Sequence, residues 1–137
     1  MDSHTKPHRP PSPWWSKAAL VLAGVVIAVS FVSLLGLALS GFYFDPDDFP
    51  SEYYRAQAVH HRQDMLVALL LPVAALVLAG IAGFSAGRAG ARRVGAYWVG
   101  GLAVLVALAM LFVGTGNIHA ALYFADYFAS ADARILW

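Results

Sequence analysis

The sequence has 137 residues, 60% of them hydrophobic and 12% charged, with a formal net charge of +1 and a mean hydropathy of +0.65. A soluble domain carries about 25% charged residues, so this composition excludes an ordinary water-soluble globule and points to the membrane class. With no cysteine, disulfides, thiolate metal sites, covalently attached c-type haem and a cysteine nucleophile are excluded as well.

Residues 1–16 (MDSHTKPHRPPSPWWS) are polar, proline-rich and without apolar periodicity. They read as a disordered basic tail on the cytoplasmic side, because such a segment cannot bury enough surface to offset its ordering entropy. Trp14 and Trp15 close it at the depth where indoles favour lipid headgroups. Residues 17–137 read as a single three-helix membrane domain.

The first span runs over about 18–39. It contains neither charge nor proline and is long enough to cross about 30 Å of hydrocarbon at about 1.5 Å per residue. A cleaved signal peptide ending near Ala38-Leu39-Ser40 is the rival reading, but the apolar run exceeds the usual signal-peptide core.

Residues 41–64 read as an outer cap. Phe42, Tyr43 and Phe44 suit an aromatic belt, and Asp45-Pro46-Asp47-Asp48 and Phe49-Pro50 suit turns. Ser51 is the expected N-cap of a helix with Glu52 in its first turn, running without a break into the second span at about 65–86. Pro72 inside that span removes one backbone hydrogen bond and predicts a kink. Ala79, Gly83 and Gly87 recur every four residues, a row of small residues that lets another helix approach closely, within the chain or from a partner.

Residues 87–94 form a short connection carrying Arg88, Arg92 and Arg93. The third span covers about 95–114, with Tyr97 and Trp98 at its first interface. Gly114, Gly116 and Asn117 weaken the helix near its exit. Residues 117–137 then read as a separate interfacial helix along the membrane surface, since Asp126 and Asp132 would be costly within lipid.

Charge placement sets the expected direction. Lys6, Arg9, Lys17 and the three arginines of the second connection belong in the cytoplasm, and the acidic cap outside. The expected fold is therefore an all-α membrane protein with three transmembrane helices, N-inside and C-outside, with an extracytoplasmic cap and a C-terminal interfacial helix. The expected location is a bacterial inner membrane.

The candidate chemistry sits near the outer leaflet. His60 and Asp64 share a helix face at i, i+4; His61 is adjacent, and His119 stands near the exit of the third span. Together they offer ligands for zinc or copper, or axial histidines for a haem b. Neither spacing is a metal-site signature. Interfacial histidines bonded to water, lipid or a partner are therefore the preferred reading. Asp45, Asp47, Asp48 and Glu52 can supply oxygen ligands to calcium but lack the glycine and spacing of an EF-hand loop.

No charged residue lies within the three spans as drawn, which argues against an ion pathway built by this chain alone. No nucleophile elbow, phosphate loop or dinucleotide fingerprint is present, and no nucleic-acid partner is expected. The reading that fits is a non-catalytic accessory or assembly subunit, without a cofactor, of a larger membrane complex, for which a respiratory assembly is a natural host. The alternatives are a metal- or haem-binding membrane protein and a small homo-oligomeric channel.

Overall fold

The computed structural model describes residues 13–41 and 49–135, with side chains described as far as residue 131. Expectations for residues 1–12 of the N-terminal tail, for the aromatic belt Phe42 to Phe44 and for the acidic turn Asp45 to Asp48 lie outside the described residues. Within them the chain is all-helical: α1 (Trp14–Ser40), α2 (Ser51–Arg88) and α3 (Val94–Ile135). Each is long and apolar enough to cross a membrane.

The helices overrun the expected spans. α1 begins at Trp14, four residues early, because Pro13 has the extended conformation of an N-cap residue and its carbonyl accepts the Ser16 N–H. α2 starts at Ser51, but with Pro50 at the N-cap position and no capping side chain among the described residues. Ser51 is thus the first helical residue rather than the cap. The helix then continues through Pro72, which is fully buried.

A five-residue turn reverses the chain between α2 and α3. Ala91 N–H donates to Ala86 O (2.8 Å) and Gly90 N–H to Gly87 O (3.1 Å). This paired pattern is a Schellman closure, which needs a left-handed residue at its centre. Gly90 takes that place with φ 70°.

α3 departs most from the sequence expectation. The separate interfacial helix is absent as an element: α3 runs unbroken from Val94 to Ile135. Intrinsic propensity disfavours Gly114 and Gly116, but packing overrides it. A Cβ on Gly114 would lie 2.6 Å from Met65 Cγ, so the missing side chain makes room for a residue of α2. Residues 117–135 therefore continue the axis of the third span.

All three helices turn buried or half-buried residues inward at alternating intervals of three and four. In α2 the series is Tyr54, Ala58, His61, Met65, Ala68, Pro72, Ala75, Ala79, Ala82 and Ala86. In α1 it includes Ser16, Ala23, Ile27, Ser30 and Leu37, and in α3 Val99, Ala103, Val106, Met110 and Asn117. That period is the seam of a left-handed bundle. Its members are mostly small, while Leu, Val and Phe point outward. In lipid the outer face gains nothing by being polar, and close approach of backbones holds helices together. Ile27, Ala75, Ala103, Val106 and Met110 form the central core where the three helices meet.

Candidate functional site

The end of the bundle holding residues 51–64 and 115–131 carries the candidate ligands. Tyr54 is fully buried there. Its ring stacks on Phe128 at 5.5 Å and 9° and meets Phe124 at 5.8 Å. Ala58, Ala121 and Ala125 are also buried and bring the backbones together around it. The N-terminal part of α2 and the C-terminal part of α3 are thus joined into one arm. Tyr53, Val59, Tyr123 and Tyr127 are exposed on it.

The adjacent histidines separate, as successive helical residues must. His60 points outward, 70% exposed, with Nε2 3.4 Å from Asp64 Oδ2. His61 turns into the seam and is 3% exposed. Burial, the largest influence, lowers its pKa from the ordinary imidazole value; the nearby Asp64 carboxylate opposes this and His60 adds to it.

His119 and Asp64 line different grooves, one on each side of the last turns of α1. His119 lies with Phe112, Thr115 and Ala38, whereas Asp64 lies with Ser33, Gly36 and Ser40. Among the described residues, no three His, Cys, Asp or Glu side chains come together to hold a metal ion. What the structure brings together is the His60–Asp64 pair.

The row of small residues packs within the chain. Ala79 and Gly83 are buried in the seam. A Cβ on Gly83 would lie 3.2 Å from Ala96 Cβ, and Gly100 faces Ala79 across the same contact. Gly87 differs, because its open face is covered by the guanidinium of Arg93 rather than by a helix.

Two polar ties hold α1 in place, and neither stands out in the sequence. Ser16 Oγ, buried at the start of α1, donates to Ala82 O of α2 at 3.0 Å. At the other end Asn117 Nδ2 of α3 donates to Leu37 O at 2.6 Å, and Ser40 Oγ donates to the same carbonyl at 2.8 Å. A terminal carbonyl of α1 that has no successor turn is thus satisfied from a neighbouring helix. A lone Asn directly after Gly114-Thr115-Gly116 reads as a loop residue. Only its spacing of seven from Met110 places it on the seam.

In comparisons with protein-family models, with curated proteins and with solved structures, no significant match was found.

Proposed function

We propose that this chain is a non-catalytic accessory or assembly subunit that holds a partner through the arm formed by α2 and α3. The observation that carries this reading is the length of the arm and the character of its surface. α2 and α3 have 38 and 42 residues, which makes them about 57 Å and 63 Å long. The hydrocarbon core is about 30 Å thick. Both helices therefore extend well past the lipid at the Tyr54 end, where Glu52, Arg55, Arg62 and Asp126 are exposed to water.

On this water-facing arm Tyr53, Val59, Tyr123 and Tyr127 remain exposed. Aromatic and aliphatic groups clustered on a wet surface mark protein contacts, and tyrosine is enriched in their cores. The arm is rigid because its two halves share the Tyr54 cluster, so presenting it to a partner costs little ordering entropy. The positive-inside rule supports an arm on the extracytoplasmic side, and in this reading the membrane is a bacterial inner membrane.

Gentle detergent extraction from the native host, followed by mass spectrometry of whatever copurifies, tests the reading. A defined set of membrane proteins should be recovered with the wild type and lost with Tyr123→Asp/Tyr127→Asp. Recovery of the wild type only as a monomer contradicts it.

A further inference from the structure

The opposite end of the bundle has a different chemistry. Lys17, Arg88, Arg92 and Arg93 gather at the start of α1 and around the α2–α3 turn, and no carboxylate accompanies them among the described residues. Every described acid, namely Glu52, Asp64 and Asp126, belongs to the arm or its base. Four cations at headgroup depth with no internal counter-charge suit an external anion.

A groove of about 450 Å³ opens from this basic end between α2 and α3. Its floor includes Gly83, Ala96 and Gly100, its rims are Gly80 and Gly101, and Phe84 and Tyr97 stand as walls. Arg88 lies over the Phe84 ring at 5.7 Å and fixes one wall. The groove runs from Arg93 to Val104. Eleven residues of helix rise span about 16 Å, the hydrocarbon depth of one leaflet.

Arg93 connects the two features. It lines the apolar groove and also the small recess shared by Ser16, Lys17 and Arg92. Its guanidinium lies across Gly87, at the C-terminal end of α2. A phosphate held between Lys17, Arg92 and Arg93 would sit at the mouth of a slot as deep as one acyl chain.

We infer that this is a binding site for a single anionic phospholipid, with its phosphate on Lys17, Arg92 and Arg93 and one acyl chain between α2 and α3. The site does not depend on which compartment the turn faces. The glycines at its rims have a structural meaning here: a Cβ on Gly80 or Gly101 would meet nothing within 4 Å. A side chain added there fills the slot without disturbing the bundle.

The test is native mass spectrometry of the full chain from nanodiscs holding equal amounts of phosphatidylglycerol and phosphatidylcholine. The wild type should retain one phosphatidylglycerol in clear preference to phosphatidylcholine. Arg92→Gln and Arg93→Gln should each lower that preference about fivefold. Gly101→Leu should reduce retention of both lipids while the variant keeps its helical circular dichroism and melting profile.

Equal retention of both lipids by the wild type would overturn the inference. So would unchanged retention in folded Gly101→Leu, or a dimer with no lipid bound, which would mean that a second helix fills the groove. Stabilisation of detergent-solubilised protein by inorganic phosphate as strongly as by phosphatidylglycerol would reduce the site to a plain anion cluster and overturn it too.

Discussion

Asn117 of α3 donates a 2.6 Å hydrogen bond to the carbonyl of Leu37, near the last turn of α1. Gly41 makes the approach possible, since a Cβ there would lie 2.9 Å from Asn117 Cγ. The bond joins the two helices that touch least, at the C-terminal end of α1. Interhelical hydrogen bonds of this kind contribute about 0.6 kcal/mol on average and up to about 1.7 kcal/mol. Asn117→Ala should therefore cost about 1 kcal/mol in reversible unfolding from mild detergent. Gly41→Ala should cost more in the wild type than in the Asn117→Ala background, because the clash disappears with the amide. Additive effects in that cycle would show that the two residues do not meet.

The α2–α3 turn rests on one left-handed residue. Gly90 at φ 70° accepts a side chain only at about 1–2 kcal/mol. Gly90→Ala should destabilise by that amount, and Gly90→Asn by less, since Asn tolerates the left-handed region. Equal losses for the two variants, measured in one unfolding assay, would contradict this account of the turn.

Tyr54 fixes the arm. Replacing a large buried aromatic with Ala costs about 3–5 kcal/mol. Because Tyr54 lies far along α2 from the central core of Ile27, Ala75 and Met110, the loss should be local. Hydrogen exchange in Tyr54→Ala should accelerate over 51–60 and 122–131 and remain slow over 68–82 and 99–110. Uniform acceleration would show that the arm and the bundle unfold together.

His61 makes stability depend on pH. Its folded-state pKa lies below the ordinary value of 6.5, chiefly through burial. As pH falls, the unfolded ring takes up a proton before the folded one. The contribution is complete above about pH 6.5 and is lost progressively below it. The melting temperature in detergent should fall between pH 7 and pH 5, and by less in His61→Leu. An identical slope in both proteins would remove His61 as its source.

The parts that were legible in the sequence depend on single strong signals. Uncharged runs mark the three spanning segments, and Glu52 after Pro50 marks the start of α2. Ala79 and Gly83 mark the close contact with α3. The seam itself was not legible as polarity, because in lipid both faces of each helix are apolar. Its code is residue size, small inside and large outside, at alternating spacings of three and four. The continuity of α3 was hidden for another reason. Gly114 and Gly116 look like helix breakers, and only the presence of Met65 over Gly114 turns one of them into a contact. The separation of His60 from His61 follows from helix geometry alone, since neighbours lie about 100° apart.

The most direct test of the arm uses the lack of any native cysteine, which makes an introduced pair unique. Ala58→Cys combined with Ala121→Cys should form a disulfide under mild oxidation in native membranes, because both are small and buried in the arm and continue the α2–α3 register in which Gly83 meets Ala96 and Gly114 meets Met65. Ala58→Cys combined with Tyr123→Cys, whose second position faces away, should not. Efficient cross-linking of the first pair alone is the expected result. If neither pair cross-links, residues 117–135 leave the α2 axis and the arm does not exist.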